Sequence, residues 1–191
     1  MKHLPNTLTI IRILITPVVL TLLFLPSSFA AKSWAFTLFV LASISDWLDG
    51  SLARRYSVGS RLGQFLDPLA DKLLVIGTFV MLSIVSPWLV PWWAVTLIAL
   101  RDVIVTGLRV VAERRGTPLK TSKGAKLKTA FQLTFLILVL LLMTLAELGP
   151  AIAQPANLVL HSVYLQILLI LTVAATVITG GAYFSRPAHG T

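Results

Sequence analysis

The chain has 191 residues, of which 57% are apolar and 12% are charged, and it contains no cysteine. This composition, with a mean hydropathy of +0.89, argues against a soluble domain and predicts a protein embedded in a bilayer. The lack of cysteine excludes disulfides, thiolate catalysis and cysteine-ligated metals. The formal net charge is +9. We expect these cations to lie at helix ends beside anionic lipid and not to bind nucleic acid, since no nucleic-acid-binding module is visible.

Long apolar stretches separated by short polar segments predict six transmembrane helices. Each stretch is close to the ~20 residues that cross ~30 Å of hydrocarbon. The predicted spans are 7–27, 33–53, 68–87, 89–112, 127–148 and 157–184. Together they predict an all-α integral membrane protein that forms a single domain over residues 1–191.

The stretch from Lys2 to Thr9 is predicted to be a short interfacial segment that leads into the first span. Lys2 and the apolar run behind it imitate a cleavable signal peptide, but Arg12 interrupts that run, which disfavours cleavage. The guanidinium of Arg12 is expected to reach back to the lipid headgroups, with its aliphatic stem in the apolar layer.

The basic residues fall in alternate loops, which predicts the orientation of the chain. Arginines follow the second span and a run of arginines and lysines follows the fourth, whereas the opposite loops carry only Lys32. Because Lys and Arg in short loops stay on the cytoplasmic side, both termini and the basic loops are predicted to be cytoplasmic. Tryptophans at the opposite ends of the spans agree with this orientation, as an interfacial belt would: Trp34, Trp88, Trp92 and Trp93.

Four of the seven acidic residues lie within twenty-six positions, as two pairs at helical spacing. Asp46 and Asp49 share one helix face with Gly50 and Ala53. On the next helix, Gly63, Asp67 and Asp71 are spaced by four and four. Each pair of carboxylates is thus accompanied by residues with little or no side chain, as expected if a ligand lies against the backbone. Pro68 leaves two alternatives open, a kink within the second helix or a helix that starts there with Asp67 as its cap.

These carboxylates need a compensating charge. An ionised Asp in the middle of a membrane costs on the order of 3 kcal/mol. Pairing with Arg54, Arg55, Arg61 and Lys72 is one explanation. Binding of Mg²⁺ or Mn²⁺ explains more of the pattern, because these ions prefer oxygen ligands and two facing pairs could hold two ions about 4 Å apart.

The spacing of these residues also resembles a known signature. The pattern reads Asp46-x2-Asp49-Gly50-x2-Ala53-Arg54-x8-Gly63-x3-Asp67-x3-Asp71. It is similar to the motif of the CDP-alcohol phosphotransferase family at all eight fixed positions, and the length and number of spans also resemble that family.

The resemblance implies transfer of a phosphatidyl group from CDP-diacylglycerol to an alcohol, with release of CMP, by a homodimeric enzyme. It implies that Asp46, Asp49, Asp67 and Asp71 bind the metal ions, and that Asp71 is also the general base. The implied contacts with CDP are Asp46, Asp49, Gly50, Ala53, Arg54 and Gly63.

Basic residues beyond this signature suggest the acceptor alcohol. Arg109, Lys126 and Lys128 could form a pocket for an anionic acceptor, such as glycerol 3-phosphate. An inositol phosphate is also anionic and remains an alternative acceptor, as does phosphatidylglycerol. The alternative without acceptor binding is that Asp102 neutralises a neighbouring arginine in the bundle, while Lys126 and Lys128 mark a membrane edge.

The sequence also disfavours a cation transporter and a metal site at His161. A cation transporter would also use intramembrane carboxylates, but four aspartates close to one membrane face do not line a path across it. His161, in the sixth predicted span, lacks a second histidine at ligand spacing and is expected to pack or form a hydrogen bond.

Overall fold

The computed structural model describes residues 4–56, 61–114 and 123–181, with side chains at 10–45, 70, 72–108, 110–112 and 127–181. Within these residues the chain is helical and has no strand, so the predicted all-α class is confirmed there. The helices are α1 (Leu4–Phe24), α2 (Phe29–Tyr56), α3 (Arg61–Val85), α4 (Trp92–Arg114), α5 (Lys123–Leu145), α6 (Pro150–Leu160) and α7 (Val163–Gly181).

The first five predicted spans each coincide with one helix, although the helix ends differ by several residues. In the described part, Leu127–Leu145 and Val163–Gly181 are long and apolar enough to cross a bilayer. Shorter apolar helical stretches are present at Ile10–Phe24, Phe29–Ser45 and Lys72–Val85. The predicted interfacial segment is not a separate element from Leu4 onward, because α1 continues without a break from Leu4 to Phe24.

The sixth predicted span, 157–184, was wrong in its boundaries, because the helix breaks inside it. The helix α6 starts after Gly149 with a proline in its first turn, which is the favoured position for that residue. It ends at Leu160 with His161 as its C-terminal cap, and Ser162 then leads into α7. The Ser162 hydroxyl donates to the carbonyl of Val159 at 2.7 Å and accepts from the N–H of Leu165 at 3.4 Å. This side chain therefore serves the end of α6 and the start of α7.

His161 packs and forms a hydrogen bond, as expected. Its ring stacks on Trp88 with centroids 4.1 Å apart. Its Nδ1 lies 2.9 Å from the carbonyl oxygen of Asn157. The contact holds the end of α6 against the loop between α3 and α4.

The bundle has an apolar core and an equally apolar outer surface. Inside, Phe79 of α3 and Phe135 of α5 stack with ring centroids 5.8 Å apart. Outside, large aliphatic side chains are exposed on different helices: Leu14 at 64%, Val103 at 66% and Ile178 at 71%. Exposed apolar surface on this scale indicates that the helices contact something other than water.

Buried threonine hydroxyls in the described part of this bundle bond to their own helices. Thr16, Thr78, Thr144 and Thr176 each donate to the carbonyl four residues earlier, at 2.7 to 2.8 Å. In apolar surroundings a hydroxyl without a partner is costly, so this local bond satisfies it without help from another element.

Lys32 caps the C-terminal end of α1. It is the one basic residue in the loops that are predicted to lie opposite the cytoplasm. It lies one residue before the predicted second span and is 3% exposed. Its Nζ donates to the carbonyl of Leu23 at 2.9 Å, so a cation sits at the negative end of the α1 dipole. Burial lowers the pKa of Lys32 below its ordinary value, while the charge of Glu147 acts to raise it.

The close approach of α4 and α7 depends on Gly180. The side chain of Arg101 lies across this glycine, and a Cβ at position 180 would be 2.8 Å from Cγ and 3.1 Å from Nε of Arg101. From there the Arg101 guanidinium reaches Thr179, with Nη2 3.1 Å from the Thr179 hydroxyl. Any side chain at 180 would push Arg101 away from α7.

We predict that Gly180→Ala lowers the free energy of unfolding by about 1–3 kcal/mol, the usual range for overpacking a filled interior. Gly107→Ala is the matched control, because a Cβ there meets nothing within 4 Å. Alanine at that helical position should be neutral or stabilise by up to about 1 kcal/mol. Thermal unfolding of both variants in one detergent is the measurement. Equal midpoints for the two would contradict the packing of Arg101 on Gly180.

Candidate functional site

The predicted signature lies on two consecutive helices. Asp46, Asp49, Gly50, Ala53 and Arg54 belong to the C-terminal half of α2, and Gly63, Asp67 and Asp71 belong to the N-terminal half of α3. Their side chains lie outside the described residues, as do residues 57–60 between the helices. The contacts of the carboxylates with metal and nucleotide therefore stay predictions.

The structure decides the alternative that Pro68 left open. Helix α3 begins at Arg61, so Pro68 lies inside the helix and Asp67 does not cap its start. Each carboxylate pair is thus carried by one helix. At 1.5 Å rise per residue, the two members of a pair lie about 4.5–6 Å apart along their helix axis.

Arg12 differs from its prediction, because it is buried inside the bundle. It is 2% exposed and shares the buried face of α1 with Thr16, Val19 and Leu23. The hydroxyl of Thr16 donates to the Arg12 carbonyl at 2.8 Å. Helix α1 packs against both α2 and α3. The interior neighbours of α1, which hydropathy alone does not reveal, keep this arginine inside the bundle.

The position of Arg12 along the bundle relates it to the signature. A Cβ at Gly77 would lie 3.2 Å from Cδ1 of Leu20, so these residues are level on α1 and α3. The short links on either side of α2 make α1 and α3 run in the same direction. Eight residues back along each helix, Arg12 is level with residue 69, between Asp67 and Asp71. Arg12 therefore brings a positive charge to the height of the carboxylates.

A second polar group surrounds Asp102. This Asp102 cluster consists of Lys72, Arg101, Asp102, Lys128 and Thr179. The Asp102 carboxylate is 3% exposed. Lys128 Nζ donates to its two oxygens at 2.8 and 2.6 Å, and Arg101 Nη1 donates to Oδ1 at 3.1 Å. One carboxylate thus joins α4 to α5, and Arg101 extends the connection to Thr179 on α7.

Lys72 connects the cluster to the signature helix. Its Nζ lies 3.4 Å from the main-chain oxygen of Asp102, a long contact between α3 and α4. Since Lys72 directly follows Asp71, the cluster lies beside the end of the second carboxylate row.

Of the three residues predicted to bind the acceptor phosphate, only Lys128 has a described side chain. Lys128 is buried and paired with Asp102, which agrees with a neutralising role for that carboxylate. The side chains of Arg109 and Lys126 lie outside the described residues. Binding of an acceptor phosphate by these three residues stays a prediction.

Sequence reasoning missed the α7 side of this region. Thr179 accepts from Arg101, and Thr176 accepts from Nε2 of Gln132 at 3.2 Å. The available signal was the helical spacing of Lys128 and Gln132 on α5, which puts them on one face. Nothing in the α7 sequence marks its threonines as their partners, because threonine is common in apolar helices.

Among the described side chains, no group of three or more His, Asp or Glu residues could hold a metal ion. The metal site predicted on the four signature aspartates lies elsewhere, at residues whose side chains are outside that set.

Comparison with known proteins identifies the family. A model described as CDP-alcohol phosphatidyltransferase matches residues 2–179. A Rickettsia typhi protein named CDP-diacylglycerol–glycerol-3-phosphate 3-phosphatidyltransferase is 39% identical over 188 residues, covering 96% of each chain. A Bacillus subtilis protein of the same name is 34% identical over 197 residues, covering 97% of this chain and 95% of its own.

A protein from Mycobacterium tuberculosis, named "Probable phosphatidylglycerophosphate synthase", is 36% identical over 186 residues, covering 96% of this chain and 81% of its own. The matched region includes all eight signature positions and every member of the Asp102 cluster. The chain belongs to the CDP-alcohol phosphatidyltransferase family.

Proposed function

We propose that this protein is a phosphatidylglycerophosphate synthase. It transfers the phosphatidyl group of CDP-diacylglycerol to glycerol 3-phosphate and releases CMP. The observation that carries the proposal is the complete eight-residue signature on consecutive helices of a chain that belongs to this family. The names of its relatives, which specify glycerol 3-phosphate, support this acceptor over an inositol phosphate.

The residues of the signature fit a divalent cation. Two carboxylates on each of two consecutive helices form a donor set of oxygen alone, which suits Mg²⁺ or Mn²⁺. Asp46, Asp49 and Asp67 would hold one ion, and Asp67 and Asp71 would share a second. When bound, such ions neutralise the charge that develops on the departing CMP phosphate.

The remaining signature residues bind the nucleotide. Gly50, Ala53 and Gly63 let CDP approach the helix backbones closely, because they present a small side chain or none. Arg54 donates to the pyrophosphate. The buried charge of Arg12 adds to the attraction for the pyrophosphate at the same height of the bundle.

The chain's own chemical step is a proton transfer. Asp71 takes the proton from the attacking hydroxyl of glycerol 3-phosphate, which is otherwise scarcely ionised at neutral pH. The hydroxyl oxygen forms a bond to the phosphorus that bears the diacylglycerol, and the bond from that phosphorus to the bridging pyrophosphate oxygen breaks. CMP leaves with that oxygen. This is a direct displacement, and it needs no covalent intermediate on the protein.

The acceptor is held by basic residues on the cytoplasmic side. Arg109, Lys126 and Lys128 would bind its phosphate, which carries up to two negative charges. The acceptor hydroxyl would then lie near Asp71. The contact between Lys72, which follows Asp71, and the main chain of Asp102 supports this arrangement.

The proposed setting is the bacterial inner membrane. Helices α1 to α5 and α7 would span it as a single domain, with α6 as a short connecting helix and both termini in the cytoplasm. The apolar outer surface of the bundle supports this arrangement. We also propose a homodimer, as the family resemblance implies.

The acceptor assignment is tested with purified protein, CDP-diacylglycerol, Mg²⁺ or Mn²⁺, and a panel of alcohols. We expect CMP and phosphatidylglycerophosphate with glycerol 3-phosphate, and no product with serine, inositol phosphate or phosphatidylglycerol. Product with one of the other alcohols alone would reject this acceptor. Metal flux into liposomes without CMP release would instead indicate a transporter.

The role of Asp71 is tested by Asp71→Asn, which keeps the side-chain size but removes the base. We expect kcat to fall by about 10²–10⁴-fold, the usual contribution of a general base. The thermal unfolding midpoint should not fall, because the substitution leaves the packing intact. Activity close to that of the unmodified protein would remove Asp71 from this role.

A further inference from the structure

The Asp102 cluster carries more positive than negative charge. The Asp102 carboxylate is shared by Arg101 and Lys128, which lie 3.1 and 2.6 Å from its oxygens. These three side chains are at most 11% exposed, so water screens their charges poorly. Among these three side chains, two cations and one carboxylate leave one formal positive charge in a buried site, which favours the approach of an anion.

The contacts of Lys128 leave part of its hydrogen-bonding capacity unused. An ammonium has three N–H donors. Within the described part of the chain, both hydrogen bonds of Lys128 go to Asp102, one to each carboxylate oxygen. Two fixed acceptors hold the end of a flexible four-carbon side chain in one place, and the third donor remains for another oxygen.

Asp102 itself is held firmly. Its carboxylate accepts a hydrogen bond from Nη1 of Arg101, and Nη2 of the same guanidinium donates to the hydroxyl of Thr179. Its main-chain oxygen accepts from the hydroxyl of Thr106 at 2.7 Å and contacts Lys72, the residue after Asp71. The carboxylate is thus held in one place, and the main chain of the same residue contacts Lys72 on α3, which follows the proposed base.

We propose that Asp102 is a positioning residue for the acceptor. It holds the ammonium of Lys128 so that the third N–H donates to the phosphate of glycerol 3-phosphate. The surplus charge of the cluster then meets the negative charge of that phosphate. This inference rests on the proposed function, and it gives Asp102 a role in acceptor affinity beyond joining α4 to α5.

The test compares the Michaelis constants for the two substrates in Asp102→Asn and Lys128→Met. Without the carboxylate, Lys128 loses its fixed place and turns toward water. We expect each variant to raise KM for glycerol 3-phosphate by about ten- to a hundredfold, as the loss of a charge-assisted hydrogen bond would. KM for CDP-diacylglycerol should change by less than about twofold, since the nucleotide is bound by other residues.

Combining the substitutions tests whether the two residues act as a unit. The double variant Asp102→Asn with Lys128→Met should raise KM for glycerol 3-phosphate no more than either single change does. Additive effects would show that Lys128 binds without support from Asp102. A lower KM in Asp102→Asn would show that the carboxylate competes with the phosphate. Either result overturns the proposal.

The matched control is Glu147→Gln, which removes a carboxylate that acts on a different buried lysine, Lys32. It lies beyond the other end of α5 and should leave both Michaelis constants unchanged. If Asp102→Asn does not fold, Asp102→Leu with Lys128→Met serves in its place, because apolar replacement of a whole buried pair is often tolerated. That variant must show the same selective rise in KM for the acceptor.

The outcomes separate this inference from the proposed function. If the unmodified protein makes no product from glycerol 3-phosphate, the proposed function fails. If it makes product, and the variants lose stability or kcat with no selective change in KM, then Asp102 only joins helices and the inference fails.

Discussion

Charge inside an apolar bundle must be compensated within the protein or by a ligand, and the arrangement of this molecule follows from that constraint. Buried threonines bond to their own helices, and Lys32 bonds to the end of α1. Asp102 is surrounded by cations from its own helix and from α5. The four signature aspartates are a further group of one sign in the sequence. The family chemistry supplies a reason for them, because a nucleotide lipid brings its own phosphates and requires cations.

Much of the fold could be predicted because a bilayer constrains helix length. Five apolar stretches predicted five helices, since each stretch is as long as a span and is bounded by polar residues. The break between α6 and α7 could not be predicted, because neither glycine nor proline marks it. It depends on the Ser162 hydroxyl, which bonds in both directions only once the helices are placed. The burial of Arg12 was missed for a related reason, since its neighbours belong to other helices.

The same distinction applies to the candidate site. Contacts between residues close in sequence could be predicted, whereas contacts between distant residues could not. Helical period alone puts Asp46 near Asp49 and Asp67 near Asp71, so these pairs could be predicted from spacing. Whether Pro68 starts a helix was decided by residues before it, which form a helix from Arg61. The pairing of Asp102 with Lys128 joins residues 26 positions apart. No local pattern predicts that Lys128 pairs with Asp102, because the two helices that carry them come together through other helices, such as α7, which packs against both α4 and α5.

In the proposed membrane setting, the pairing of Arg101 with Asp102 would also affect how the chain enters the membrane during synthesis. The two residues are adjacent in sequence and lie on the same helix. The Asp102 carboxylate therefore has a counter-ion on α4 itself, before any later helix is made. Lys128 follows on the next helix to emerge, since chains are made from the N-terminus. In the proposed membrane arrangement, Asp102 on α4 would already be in the bilayer when α5 leaves the ribosome, so the ammonium of Lys128 would meet its acceptor there. Arg101, Asp102 and Lys128 would thus be synthesised in the order in which their ion pairs can form.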